Sequence, residues 1–405
     1  MKILQISKLY FPWIGGVETV VQQIAEGLDN KNDLKMEVLC CLDKGERKTE
    51  EINKVKVWRA SSLGIFWGMP VSFDFFWLFK KLKDKYDVID FHHPFPLGDL
   101  VIFLFRSKTK LTVHYHSDIV RQKILEIFFK PLIFNTLKRA EKIIVSNPNL
   151  IKNSPYLRKF KEKCVVIPFG IDLKKFEKID FNNIQKRERG EAERSVIEET
   201  KSLRERERGE SERNIVEEMK SLREIKEKYK DFVLFVGRLN YYKGVQYLVE
   251  AMKEIDANLV IIGQGAEKSN LELKIKEFSL ENKVFFLPPQ GEKELINFYQ
   301  AAKIFVLPSI FKSEAFGIVL IEAMACGKPI ISTELGTGTS WVNVDEETGF
   351  VVQPKDSGAL VKAINKILEN KNLEQKFSEN AKKRAEQKFS LERMLEETEK
   401  VYKNL

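Results

Sequence analysis

Short apolar runs alternate with helix-length segments along most of the chain, and the alternation starts afresh near residue 231. Strands separated by helices cannot pair as hairpins. The crossovers make them parallel neighbours with helices over the sheet, which is an α/β architecture. In the first half the strand candidates are Lys2–Ser7, Val38–Leu42, Val55–Arg59, Val88–Phe91, Lys110–His114, Ile143–Ser146 and Val165–Pro168, with a helix over Glu18–Leu28. After the restart they are Phe232–Gly237, Leu259–Gly263, Val284–Leu287, Ile304–Pro308 and Pro329–Ser332. Helices are expected between these at Val245–Ile255, Ala266–Phe278, Glu292–Ala302 and Gly317–Ala325, then at Ser357–Leu368. Two charged helices, about Leu373–Gln387 and Leu391–Asn404, close the chain.

The two patterns are separated by a tandem duplication. Residues 187–205 (RERGEAERSVIEETKSLRE) and 206–224 (RERGESERNIVEEMKSLRE) match at 14 of 19 positions, and two copies are too few for a stacked repeat architecture. Glu and Arg favour helix, but the apolar stripe is too thin to bury much surface. A protruding charged helical insertion over 183–228 is expected, with a small coiled-coil contact as the alternative.

Composition narrows the class. Hydrophobic residues make up 43% of 405, enough for sizeable cores. No uninterrupted apolar run approaches the length of a membrane span. The start, MKILQISKLYFPWIGG, reads as a buried strand without a basic leader, so a cytoplasmic location is expected. The four cysteines show no C-x-x-C spacing, which argues against a disulfide framework or a structural zinc. Net charge is +9, and residues 1–180 hold 31 Lys and Arg against 21 Asp and Glu, so all the excess lies there. That suits nucleic acid, an anionic membrane surface or an anionic substrate. No zinc finger or aromatic RNA-binding signature accompanies it, so nucleic acid is not expected.

The densest chemistry lies in Ser313-Glu314-Ala-Phe316-Gly317-Ile318-Val-Leu-Ile-Glu322-Ala-Met-Ala-Cys-Gly327-Lys-Pro329, directly after the strand IFVLPS. Gly317 allows close backbone approach, and the first N–H groups of the next helix point outward to an anion or hydroxyl. Glu314 on the loop and Glu322 in the helix can both face one cleft, where a carboxylate accepts two sugar hydroxyls at once. Glu322 interrupts an apolar face and so calls for a reason.

This Glu-x7-Glu segment resembles the signature of family 4 glycosyltransferases. Gly237-Arg238-Leu239 with Lys243-Gly244, Ile262-Gly263-Gln264-Gly265, Ile167-Pro168-Phe169-Gly170-Ile171-Asp172 and the loop Tyr10-Phe11-Pro12 to Gly15-Gly16-Val17-Glu18 resemble further family blocks, in family order. Phe169 stands where the family usually has Asn. The resemblance spans nearly the whole chain except 183–228. It implies the GT-B fold, two Rossmann-like doubly wound domains facing a cleft: an acceptor-binding domain, 1–180, and a nucleotide-sugar-binding domain, 229–387. A closing helix, 388–405, is expected to cross back to the first domain. It implies transfer of a hexose from a nucleotide-sugar donor with retention. Gly15, Gly16, Arg238, Lys243, Gly263, Phe316, Gly317, Ile318 and Glu322 are the implied donor-binding residues, and His116 and Glu314 the implied catalytic ones. The residue chemistry agrees: a diphosphate leaving group needs cations, and Arg238 forks onto phosphate while Lys243 adds a point charge.

His114 and His116 alternate onto one strand face. With His92 and His93 they could bind a metal, but no plausible carboxylate set is evident, so neither metal nor cofactor is expected. His92, His93 and Asp118 are candidates for the acceptor side. Two stretches, Leu63–Phe79 before four lysines and Ile124–Leu137 before Lys138-Arg139, suit a headgroup boundary. A dehydrogenase would need G-x-G-x-x-G after the first strand, which is missing. A sugar-nucleotide epimerase on the same fold stays open as the alternative. The run Tyr115–Lys123 looks most like mannosyltransferases of surface-polysaccharide assembly. GDP-mannose is thus the first donor expected, UDP-glucose and UDP-N-acetylglucosamine being alternatives, with a glycan or lipid-linked acceptor.

Overall fold

A computed structural model describes residues 1–13, 15–66, 68–118, 123–176 and 220–405. The first sheet holds β1 (Lys2–Ile6), β2 (Lys35–Cys41), β3 (Lys48–Ile52) and β4 (Val55–Ala60). A small hairpin of β5 (Ile65–Phe66) and β6 (Met69–Pro70) follows. The sheet resumes with β7 (Val88–His93), β8 (Lys110–Tyr115), β9 (Lys142–Val145) and β10 (Cys164–Val166). Its order is β10-β9-β8-β7-β1-β2-β4-β3. All neighbours are parallel except β3 with β4. Central strands such as β1 are buried on both faces after their first residue, because helices cover both sides. The helix Gly16–Leu28 contributes Val20, Val21, Ile24, Ala25 and Leu28 at helical spacing.

The second sheet holds β11 (Phe232–Val236), β12 (Asn258–Ile262), β13 (Val284–Leu287), β14 (Ile304–Leu307), β15 (Ile330–Thr333) and β16 (Gly349–Val352). Its order, β13-β12-β11-β14-β15-β16, is all parallel. In each sheet the order reverses beside the first strand, between β1 and β7 and between β11 and β14. Ligands bind outside the carboxyl ends of strands at such a reversal.

Several expected bounds shift. β7 runs on to His93 and β8 to Tyr115. The helix expected over Val245–Ile255 ends at Ala251 and tightens into a 3-10 turn at Met252–Glu254. β3 (KTEEI) was not foreseen: it is a charged edge strand without apolar alternation. Most of the duplicated insertion, residues 183–219, lies outside the described residues. Its last part belongs to the second domain, because residues 220–229 are helical and pack Ile225 and Tyr229 into that core. The second domain therefore begins by residue 220, nine residues before the expected boundary.

The helix Leu391–Lys403 starts where Ser390 Oγ accepts from the Arg393 N–H (3.2 Å). It lies on the first domain, with Met394, Leu395 and Tyr402 in one cluster with Ile3, Val20, Ile24 and Leu28. Two backbone bonds, Ile171 N–H to Phe389 O and Leu391 N–H to Ile171 O (both 2.9 Å), tie the two crossing segments together. No helix among the described residues is long and apolar enough to cross a membrane.

Candidate active site

Loops that follow the strands at the two reversals approach each other, as Arg238 near Gly15 shows. On the second-domain side, β11 ends at Gly237, Arg238 and a 3-10 turn Tyr241–Lys243. Beside it, β14 runs into Ser309, Glu314 and the helix Ile318–Ala325. Lys243 Nζ donates to Glu314 Oε2 at 2.5 Å, and Ser309 Oγ donates to the same oxygen at 3.0 Å. Both charged residues are 8% exposed, so this is an almost buried ion pair. Lys243 is thus braced against the carboxylate, which takes one of the three N–H groups of its ammonium. Thr337 Oγ1 fixes the loop by donating to the Glu314 carbonyl (2.7 Å).

Arg238 stays exposed and makes no ion pair among the described residues. Its Nη2 lies 3.7 Å from where a Cβ on Gly15 would sit, so it reaches the opposite wall. A Cβ on Gly16 would meet nothing within 4 Å, which leaves that backbone open to a ligand. Gly317 caps the helix at φ +82°, a conformation that side chains resist, and the helix's first N–H groups have no partner within it.

Gly263 takes a different part. At φ +147°, a Cβ there would lie 2.0 Å from the Gly237 carbonyl oxygen, so this glycine lets β12 and β11 leave the sheet side by side. Gly263→Ala is expected to cost about 2–3 kcal/mol through strain and clash, and to lower the Tm by about 5–10 °C. A thermal melt of the full chain checks this; an unchanged Tm contradicts the packing.

The remaining sequence candidates separate. Phe316 is 3% exposed and packs edge-on against Phe169 (4.8 Å) and Phe389 (6.1 Å), while Ile318 lies against the cluster around the closing helix. Any donor contact at 316–318 thus falls to backbone groups. Glu322 accepts from the Tyr299 hydroxyl (2.7 Å) on the neighbouring helix, and burial pushes its carboxyl up. Glu314 and Glu322 share no bonding partner among the described residues. Asp118 is taken up by Tyr115 (2.5 Å) and Ser154 (2.6 Å), a latch at the end of β8.

His92 and His93 are strand residues, 1% exposed, and do not line an open cleft; β7 carries them into the interior. His93 Nδ1 lies 3.3 Å from Asp99 Oδ2, with its ring stacked on Tyr115. His92 stacks with His114 and His116 on the other face. His116 is 4% exposed and meets Phe169 at 5.4 Å, so Phe169 bridges His116 to Phe316 across the domains. Burial is the largest cause pushing the His116 imidazole well below its ordinary range, so it is neutral at pH 7.

A carboxylate does join these histidines. Asp90 on β7 places Oδ2 3.3 Å from His92 Nε2 and 3.4 Å from His114 Nε2, a grouping of metal-ligand type. The His92 and His114 rings beside it stack at 12° and 4.6 Å. Sequence reasoning missed Asp90, although its spacing of two from His92, on a strand beside His114, carried the signal. Phe169 was noticed only as a departure, and Tyr402, which donates to Asp90 (2.7 Å) from 312 residues away, has no local signal.

Two doubly wound domains with cations, a carboxylate and a histidine at facing strand edges define a two-domain transferase of the GT-B fold. Residues 14–175 match the Glycosyltransferase Family 4 model and residues 217–384 the model for Glycosyl transferases group 1. The O-antigen chain mannosyltransferase C of Escherichia coli is 30% identical over 100% of this chain and 99% of its own length. The D-rhamnosyltransferase WbpZ of Pseudomonas aeruginosa is 30% identical over 96% of this chain and 92% of its own. The chain belongs to the family 4 glycosyltransferases. In fold it is similar to a sucrose-phosphate synthase from Thermosynechococcus elongatus (TM-score 0.76, 23% identity, 100% and 98% of the two chains covered). HepE of Anabaena, solved with UDP-glucose, is also similar (TM-score 0.71, 18% identity, 100% of both chains).

Proposed function

We propose that this glycosyltransferase moves a hexose, mannose from GDP-mannose in first place, onto a glycan or lipid-linked acceptor of surface-polysaccharide assembly, with retention. The observation that carries this is that Phe169 bridges His116 at the end of β8 to Phe316, two residues from the Glu314 that pairs with Lys243, while Arg238 reaches towards Gly15 of the first domain. Support for the sugar comes from the two relatives, named as a mannosyl- and a rhamnosyltransferase. The UDP-glucose bound by HepE keeps a uridine donor as the second reading.

In this reading Arg238 and the Ile318 helix start take up charge on the diphosphate, and Glu314 accepts hydrogen bonds from sugar hydroxyls. The acceptor oxygen attacks the anomeric carbon on the face the phosphate leaves. The carbon–phosphate-oxygen bond breaks as the new glycosidic bond forms, and the acceptor proton passes to the departing phosphate oxygen. Positioning and charge stabilisation suffice for this course. Thermal shift against a nucleotide panel tests the donor: a ligand at 100 times its Kd adds about 2.7 kcal/mol. GDP and GDP-mannose should shift the melt most, and a membrane extract should release GDP from GDP-mannose. A shift with UDP alone overturns the mannose assignment, and no nucleotide release with any donor overturns the transfer.

Attachment to an anionic membrane belongs to the same proposal. Ten of thirteen exposed large apolar side chains among the described residues fall between residues 1 and 104, where the positive excess also lies. The helix Asp74–Leu82 turns Phe75, Leu78, Phe79 and Leu82 inward. Phe73 and Trp77, 72% and 64% exposed, face out beside Lys80 and Lys81. Of the second stretch, Ile133 and Leu137 are core, so it offers less. The chain is expected to co-sediment with anionic vesicles and less with zwitterionic ones, and Phe73→Ser with Trp77→Ser should weaken binding. Equal recovery in the supernatant with both lipids overturns the membrane part.

A further inference from the structure

The short helix Pro148–Asn153 of the first domain reaches the second domain through two asparagines. Its start is fixed by Asn147, whose Oδ1 accepts from the Leu150 N–H (3.1 Å). Asn149 Nδ2 donates to the Thr337 carbonyl (2.8 Å), and Asn153 Nδ2 to the Gly336 carbonyl (2.7 Å). The accepting loop is built for close approach. Gly336 lies at φ +67°, and a Cβ there would sit 3.1 Å from Asn153 Nδ2. A Cβ on Gly338 would lie 2.9 Å from Asn147 Nδ2 and 2.7 Å from the Ala315 carbonyl oxygen. The same loop seats Glu314. Thr337, 4% exposed, donates through Oγ1 to the Glu314 carbonyl, and the Gly338 N–H donates to the Ala315 carbonyl (both 2.7 Å). At its other end the helix runs into Ser154, whose Oγ donates to Asp118 (2.6 Å), two residues beyond His116. One hydrogen-bonded path thus runs from the strand end that presents His116, through Asp118, Ser154 and the asparagines, to the loop under Glu314.

We infer that Asn149 and Asn153 are positioning residues: they clamp the Glu314 loop to the domain that carries His116, and so set the spacing of the two groups that meet the donor sugar. Both asparagines are half-buried and neutral. Two such bonds are modest beside a domain core, so their loss alters how the domains are held and not whether each folds. Thr337 passes the clamp on to Glu314 through its hydroxyl. This rests on the placement of His116 and Glu314 at the donor sugar proposed above.

The test uses the full chain. Turnover is read as nucleoside diphosphate released from the donor that the nucleotide panel selects, with membrane extract as acceptor. Asn149→Ala joined to Asn153→Ala should lower kcat about tenfold or more while nucleoside diphosphate Kd stays within a few-fold, because the diphosphate contacts lie in one domain. Thr337→Val removes the hydroxyl under Glu314 and should cost a similar factor, and Thr337→Ser, which keeps it, should restore most of the rate. All three substitutions together, Asn149→Ala, Asn153→Ala and Thr337→Val, should cost no more than the worse of the two alone, because both cut one path. Losses that multiply, or a wild-type kcat in the asparagine pair, overturn the clamp. If Thr337→Val does not fold, amide exchange over residues 334–340 replaces it: exchange there should quicken in the asparagine pair while β14 and β15 stay protected, and unchanged exchange overturns the clamp. His116→Ala separates the levels. Full turnover there removes the placement of His116 itself. Lost turnover there, with the asparagine pair at the wild-type rate, removes the clamp alone.

Discussion

Replacing His116 by Ala is expected to lower turnover by about 10²–10³-fold while nucleotide affinity stays within a few-fold of wild type. The side chain is nearly enclosed, neutral, and presented at the end of β8 against Phe169, where the two domains meet. A contact there matters where the sugar reacts, not where the nucleotide is held. Glu314 should show the same separation, but its substitution needs care. Glu314→Ala strands Lys243 in a nearly dry site, which costs about 3–5 kcal/mol and lowers the Tm. Glu314→Gln keeps an oxygen for Lys243 and Ser309 and is the cleaner variant. Single-turnover rates with the identified donor and isothermal titration with the nucleoside diphosphate read the two effects. Near-normal turnover in His116→Ala would mean that the imidazole is merely packing.

Arg238→Ala should do the reverse. The guanidinium is exposed at the cleft, spans towards Gly15 and has no ion pair among the described residues, so nothing in the folded domain depends on it. Nucleoside diphosphate affinity should fall about tenfold, ~1.4 kcal/mol, with the Tm unchanged. A charge-assisted bond can be worth about 1.5–3 kcal/mol, and solvent at this exposed position reduces it. Wild-type affinity should weaken as salt rises and the variant's should weaken less. Arg238→Lys should recover only part, because an ammonium cannot form the two parallel bonds of a guanidinium. Equal affinities across the three proteins would place the diphosphate elsewhere.

The two domains could be read from the chain because each strand is a short apolar run and each crossover a helix of ordinary length. β3 escaped because an exposed edge strand needs no apolar face, and Lys48–Ile52 has charges where alternation would show. A helix was expected through residue 228, but its packing into the second domain over 220–229 escaped, because its charges continue those of the repeat. Ile225 and Tyr229, with Leu222 partly buried beside them, show that it is packed, and so short an apolar stripe does not announce a core contact.

At the site, local sequence determined which residue types stand at which strand end: Arg238 and Lys243 after β11, Glu314 after β14, His114 and His116 on one face of β8. Backbone periodicity and glycine chemistry act over a few residues, so these placements need no partner from elsewhere. What those side chains touch was settled only in three dimensions. Lys243 meets Glu314, Glu322 meets Tyr299, and Asp118 meets Tyr115 and Ser154. Asp90 faces His92 and His114 and accepts from Tyr402, and His92 reaches His116, which joins three separate parts of the chain. A buried charge must find its hydrogen bonds wherever folding brings donors, and the distance along the chain to the donor that answers it is set by the packing of helix on sheet, not by any neighbour in sequence.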